Sequence, residues 1–111
     1  GNNKYIHIDG DDVRSVCAGA LTTVIRVESG SSTGIMEALD GRFHDSSVAS
    51  DEVTGAIIAI EGPKSLQLSD ATAIVGGAQK RLTDKVEIIW GLNFTDEDVL
   101  RATVLLAIQQ K

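Results

Sequence analysis

Three aspartates lie within four positions near the start of this chain, in the stretch Ile6-His7-Ile8-Asp9-Gly10-Asp11-Asp12-Val13-Arg14, beside one of only two histidines. If Asp9 and Asp12 point outward together, their carboxylates could polarise a water molecule. Two nearby acids also raise one another's pKa by repulsion, which would help one of them act as a base. This stretch is therefore the main candidate for chemistry in the sequence.

The same stretch has a purely structural interpretation. Ile6 and Ile8 alternate with His7, a pattern typical of the end of an extended segment, and Gly10 then permits a tight bend. Asp11 or Asp12 can cap a following helix by accepting hydrogen bonds from its free N–H groups, next to the positive end of the helix dipole. Acidic helix starts are common, so spacing alone favours this interpretation.

Composition excludes several classes of function. The net charge of −6 and the aromatic content of 4% argue against a nucleic-acid partner, which would need a basic surface or stacking platforms. The single cysteine, Cys17, excludes an internal disulfide. No apolar run is long enough to span a membrane, and no signal sequence opens the chain, so we expect a cytoplasmic protein.

Hydrophobic patterning predicts a single domain over residues 1–111, with no linker or repeat. The predicted helices cover residues 12–18, 35–39 and 67–82, and the predicted strands cover residues 20–27, 55–60, 86–94 and 100–108. The short acidic link between the last two strands favours an antiparallel hairpin. We therefore expect an α+β fold: a two-layer α/β sandwich whose four-stranded mixed sheet carries helices mainly on one face.

The apolar residues of these elements predict the core. Strand residues with apolar neighbours and the apolar stripe of the long helix should be buried. The predicted core consists of Val24, Ile57, Ile58, Ile60, Leu68, Val75, Leu82, Ile88, Ile89, Val104 and Leu105.

Several segments together resemble a known family. They are Thr54–Pro63 (TGAIIAIEGP), the apolar helix after it, Val86–Gly91 (VEIIWG) and Leu100–Val104 (LRATV). Their order and spacing resemble the C-terminal domain of the FtsZ/tubulin GTPases, on the bacterial and archaeal cell-division branch rather than eukaryotic tubulin. The resemblance covers residues 6–107.

This resemblance implies a role for the opening stretch. The family's catalytic "synergy" loop has the form Asn-x-Asp-x-x-Asp-Val-Arg, and residues 1–12 would form this loop and lead into the first helix. Asp9 and Asp12 match its two acids, whereas His7 stands where the family has asparagine. In the family these acids polarise the water that attacks GTP on the next subunit of a filament. The resemblance therefore implies that Asp9 and Asp12 are catalytic in trans.

The resemblance also implies what this chain lacks. The family's glycine-rich phosphate loop does not occur here, and residues 29–34 (SGSSTG) are a poor match to it. We therefore expect the N-terminal GTP-binding domain to be absent from this sequence. GTP and Mg²⁺ would be cofactors of the full-length protein, and this chain would bind neither nucleotide nor metal. Its partner would be the N-terminal domain of a neighbouring subunit, through which filaments self-associate.

Two alternatives remain open at this point. The chain could be a non-catalytic interaction or polymerisation module of a divergent FtsZ-like protein, with His7 as the sign of lost catalysis. It could also be an independent small-molecule-binding α/β domain, because small sandwiches of this type host many functions.

Overall fold

The computed structural model describes the backbone of residues 2–5 and the whole of residues 8–109. The four longer strands and the helix after β3 follow stretches with the matching apolar pattern. The strands are β1 (Asn2–Tyr5), β2 (Leu21–Ser29), β3 (Val53–Pro63), β4 (Glu87–Thr95) and β5 (Leu100–Ile108). The helices are α1 (Gly10–Cys17), α2 (Ser32–Asp45) and α3 (Leu68–Gln79), and a short 3₁₀ helix (Ser50–Glu52) precedes β3.

The sheet is mixed and has the strand order β1-β4-β3-β5-β2. The central strand β3 runs parallel to β4 and antiparallel to β5, and β2 is antiparallel to β5. The four long strands are those predicted from the sequence, and the four-residue β1 extends one edge beside β4. The predicted α+β fold class is confirmed.

The predicted hairpin between the last two strands is wrong. The strand β3 lies between β4 and β5 and pairs with both. Neighbouring strands are about 4.8 Å apart, so β4 and β5 lie about 10 Å apart across β3. The four residues 96–99 are enough to span that distance. The reason for the insertion is that β3 is apolar on both faces and gains most from the central position, where both its edges are paired.

The second helix is longer than predicted. It continues to Asp45, although residues 40–45 look polar in the sequence. Phe43 packs against the core from this extension, and the side chain of Arg81, which follows α3, binds Asp40 at 3.0 Å. Tertiary packing therefore continues a helix that local sequence alone would have ended.

One face of the sheet packs against α2 and α3 and forms the main core, and the other face does not. Ile58 and Ile60 of β3 point toward α2 and α3 and belong to the main core. Ile57, one residue away, must point to the opposite face, where it is still only 5% exposed. Other members of the main core include Ile35, Leu39, Ile74, Val75, Ile88, Trp90, Val104 and Leu106.

Two members of the predicted core are exposed. Val24 is 54% exposed because it lies on the edge strand β2, on the face away from α2. Leu68 is 63% exposed because it is the first residue of α3, ahead of the turn that packs on the sheet. Leu105, the strand partner of Val24, is only half-buried. The other eight predicted core residues are buried, which confirms the rest of that prediction.

Adding a methyl group at Gly76 should stabilise the domain. Gly76 lies inside α3, and a Cβ there would meet no atom within 4 Å. Gly76→Ala should therefore raise the free energy of unfolding by about 0.5–1 kcal/mol, because alanine costs less backbone entropy in a helix. The matched control is Gly34→Ala in α2, whose Cβ would collide with the Ser29 hydroxyl and should lower stability. Urea titrations of both variants test this, and a loss of stability in Gly76→Ala would contradict it.

Candidate functional site

The acidic stretch forms the start of α1, and Asp9 is its N-cap. Asp9 has extended backbone angles, and its Oδ1 accepts hydrogen bonds from the N–H groups of Asp11 (2.9 Å) and Asp12 (3.1 Å). In return, Oδ2 of Asp12 accepts the N–H of Asp9 at 2.9 Å. This reciprocal pattern is a capping box, which satisfies free N–H groups at the start of a helix.

The sequence placed the cap two or three residues too late. It suggested Asp11 or Asp12 as the capping residue and a helix from residue 12, whereas the cap is Asp9 and the helix begins at Gly10. A capping side chain must precede the N–H groups that it binds by two or three positions. Among the three acids, Asp9 alone stands far enough ahead of the helix to do so. The predicted helix end is confirmed, because Gly19 follows α1 with a φ of +71°.

The capping box leaves part of each carboxylate unused. Asp9 is exposed and Asp12 is half-buried. Within residues 8–109, Oδ2 of Asp9 and Oδ1 of Asp12 accept no backbone N–H group, although the two side chains are in hydrogen-bond contact with each other. One oxygen of each acid therefore holds the helix start rigid, and the other can bind a water molecule. The structural and chemical interpretations of this stretch are compatible.

The third acid of the stretch is paired. The Arg14 guanidinium forms an ion pair with Asp11, one turn of helix apart. Among the described residues, neither Asp9 nor Asp12 takes part in an ion pair. The ion pair of Arg14 is thus made with the acid whose side chain is outside the capping box, although its charge also helps to lower the pKa of Asp9.

The pKa of Asp9 is lower than its ordinary value, which corrects the expectation that mutual repulsion would raise it. The main cause is the hydrogen bond from the backbone N–H of Asp12, and the N–H of Asp11 acts in the same direction. Hydrogen bonds to the charged form of a carboxyl favour that form. The lowered pKa makes the Asp9 carboxylate a weaker base than an ordinary aspartate, so it is better suited to orient a water molecule than to take a proton from it.

The lowered pKa makes the helix start sensitive to acid. Because the folded pKa of Asp9 lies below its ordinary value of 3.8, its contribution to stability is present above that value and is lost as the pH falls through the folded pKa. An NMR titration should place the Asp9 carboxyl below 3.8, with α1 amide protection falling in the same pH range. Asp9→Asn is the control, since asparagine also caps but does not titrate. An Asp9 pKa at or above the ordinary value would contradict the capping geometry.

The helix α1 packs against β3, on the face of the sheet away from α2 and α3. The contact lies between Val16 and Gly55: Cγ1 of Val16 is 2.8 Å from the place that a Cβ on Gly55 would take. The sequence had marked Gly55 only as part of a motif, and its closeness to Val16 could not be read from spacing. His7, the third predicted site residue, lies outside the described residues.

The serine-rich segment after β2 does not fit a phosphate group. It borders an open cleft of about 300 Å³ that the carboxylates of Asp70 and Asp98 also line. Ser31 caps α2 by accepting the N–H of Gly34 at 3.0 Å, and the Ser32 hydroxyl donates to Asp70 at 3.3 Å. Both serines are thus occupied, and the two acids would repel an anion.

The remaining charged cluster links strands. The Arg101 guanidinium donates to Glu28 at 2.7 Å and to Glu97 at 3.1 Å, and it lies 3.9 Å from Glu61. These residues come from β2, β3, β5 and the link before β5, so the ion pairs connect three strands at that end of the sheet. In the described part of the chain, no group of three or more His, Cys, Asp or Glu side chains is placed to hold a metal ion. No helix among these residues is long and apolar enough to cross a bilayer.

The chain is similar in sequence to a cell-division protein. It is 32% identical over 106 residues to the cell division protein FtsZ 1 of Methanocaldococcus jannaschii, across 93% of this chain and 29% of that protein. No family model matches the sequence.

Solved structures show the same likeness. A structure of an FtsZ dimer from M. jannaschii matches with a TM-score of 0.74 and 29% identity, over 92% of this chain and 31% of that one. CetZ from Methanosaeta thermophila matches with a TM-score of 0.68 over 91% of this chain and 31% of that one, but its 16% identity shows a common fold alone. The chain spans less than a third of the length of these relatives.

Proposed function

This chain belongs to the FtsZ/tubulin family and matches its C-terminal domain, and from that premise we propose that its acidic helix start activates GTP hydrolysis on the neighbouring subunit of a filament. Asp9 and Asp12 are the residues that act, and the nucleotide with its Mg²⁺ is bound by the other subunit. Isolated from that subunit, residues 1–111 should neither bind nor hydrolyse GTP.

The observation that carries this proposal is the capping box between Asp9 and Asp12. It fixes two carboxylates side by side on one turn and leaves one oxygen of each outside the capping hydrogen bonds. Phosphoryl transfer depends mainly on positioning and on charge stabilisation, so a rigid pair of water-binding oxygens is suitable chemistry. Asp9, with its lowered pKa, orients the attacking water as a carboxylate. Asp12, placed one helical turn away, is the second contact to that water.

The geometry of the rest of the chain supports a site that is shared between subunits. The serine-lined cleft carries two carboxylates and does not suit a triphosphate. This cleft therefore gives no reason to place the nucleotide on this chain, and the relative in M. jannaschii was solved as an FtsZ dimer. We propose that this chain likewise self-associates, so that α1 of one subunit meets the GTP of the next.

Mixing two inactive full-length variants tests the shared site. One variant carries Asp12→Asn, and the other has intact acids but a disabled GTP-binding domain. Each defect lies on the opposite side of the proposed interface, so a mixture should regain part of the wild-type hydrolysis rate in junctions that pair the two intact halves. The control is each variant measured alone at the same total protein concentration. A mixture no more active than its components would contradict a site built in trans.

The non-catalytic alternative also rests on a specific observation. The capping box gives Asp9 and Asp12 a structural role, so their presence does not by itself require chemistry. Substitution by asparagine separates the two possibilities, because the amide oxygen can still accept the capping hydrogen bonds while the charge is removed. Hydrolysis that survives in both asparagine variants would favour an interaction module.

A further inference from the structure

The contact between α1 and the sheet is unusually close at one point. Gly55 lies in the central strand β3, and Val16 of α1 sits directly over it. A Cβ at position 55 would lie 2.8 Å from Cγ1 of Val16. Two carbon atoms attract best at roughly 3.5–4.0 Å, so any side chain at this position would push against α1.

The sheet itself would accept a side chain at position 55. The other atoms near this point are the Glu87 carbonyl oxygen, at 3.8 Å, and Cβ of Val16, also at 3.8 Å. Both distances are ordinary contacts. Alanine is also less costly than glycine in backbone entropy. Among the contacts that the described residues make, the close approach of Val16 is thus the one that would resist a methyl group at position 55.

A side chain at position 55 would displace α1 rather than the strands of the sheet. Valine has one strongly preferred side-chain rotamer in a helix, so Val16 cannot simply rotate away. The helix α1 has only eight residues and none of them is buried, whereas Gly55 and the three residues that follow it in β3 are buried. A side chain at position 55 would therefore lift α1 from the sheet. Asp9 and Asp12 would move with it, because the capping box binds them to the first turn of α1.

We propose that Gly55 is a positioning residue for the acidic helix start. Because Gly55 has no side chain, Val16 can pack directly against β3, and this close packing of α1 sets the position and orientation of Asp9 and Asp12. This inference rests on the proposed function, and it adds that Gly55 and Val16 set the orientation of the two carboxylates. A misplacement of about 1 Å can cost a reaction on the order of 100-fold. Gly55 thus controls hydrolysis without touching water or nucleotide.

The first test is the hydrolysis rate of the full-length protein. Gly55→Ala should lower the rate by about tenfold or more, with GTP affinity unchanged. Adding Val16→Ala makes room for the new methyl group and should restore most of the rate, which a general loss of stability would not allow. The matched control is Gly76→Ala, the same chemical change at a position where a Cβ meets no atom within 4 Å. Unchanged hydrolysis in Gly55→Ala, in a protein that Asp12→Asn inactivates, would overturn the proposal.

The second test does not depend on GTP. In the 111-residue chain, Gly55→Ala should raise amide hydrogen exchange in α1 by about tenfold while the strands keep their protection. Val16→Ala should reverse this increase. Unchanged hydrogen exchange in α1 would contradict the proposal that Gly55 controls the packing of α1 on β3, whatever the catalytic role of Asp9 and Asp12. If exchange behaves as expected but Asp12→Asn leaves hydrolysis unchanged, the proposed function fails and the catalytic part of this inference fails with it.

Discussion

Asp12→Asn in the full-length protein should lower the rate of GTP hydrolysis by about 100-fold or more and leave GTP affinity nearly unchanged. The amide oxygen of asparagine can still accept the N–H of Asp9, so the helix start should keep its shape. In the proposed arrangement the nucleotide is bound on another subunit, so its affinity should not depend on this carboxylate. Single-turnover hydrolysis and equilibrium GTP binding, both compared at equal amounts of polymer, measure the two effects.

The chain offers a matched control for this variant in Asp11→Asn. Asp11 lies in the same turn and loses the same charge, but its partner is Arg14 and it accepts no hydrogen bond in the capping box. Its hydrolysis rate should stay within about threefold of wild type, as expected for an exposed charge that does not touch the reacting atoms. Asp12→Ala is a poorer probe, because it also removes a capping bond at a cost of about 1 kcal/mol. A rate for Asp12→Asn within about twofold of wild type would contradict the catalytic role.

Ile58→Ala should lower the free energy of unfolding by about 2–5 kcal/mol. Ile58 is 0% exposed in the central strand, between β4 and β5 and beneath α2 and α3. Removing three carbons there leaves a cavity that the surrounding strands cannot close. The melting temperature should fall by on the order of 10 °C or more for a domain of this size.

Val24→Ala is the control for this prediction. Val24 is also a β-branched strand residue that sequence patterning placed in the core, but it is 54% exposed on the edge strand. Its loss should change stability by no more than about 0.5 kcal/mol. Calorimetry of both variants decides the matter: if Ile58→Ala melts within a few degrees of wild type, the strand that lies at the centre of the core has been misassigned.

Local patterns in the sequence determined most of the elements. Glycine after an apolar helical turn, β-branched runs and the stripe along α3 act over a few residues, so they can be read without knowing the fold. They placed β2, β3, β4, β5 and α3 to within a few residues. The order of motifs from Thr54 to Val104 also indicated the family, which the similarity to FtsZ confirms.

Strand order was decided by tertiary structure. Residues 86–108 look like a hairpin, because the link between the two strands is short and polar. The apolar faces of β3 are buried best at the centre of the sheet, and that gain outweighs the local preference of the link. No pattern within residues 86–108 contains that information.

The candidate site shows the same division. The sequence alone located the acidic stretch and singled out Asp9 and Asp12, because residue type and spacing are local properties. Tertiary and backbone geometry decided that Asp9 is the cap, that its pKa falls, and that Val16 rests on Gly55. Val16 and Gly55 are 39 positions apart in the sequence. Their contact exists only because the fold lays α1 across β3, so the aim of the two carboxylates is a property of the folded chain.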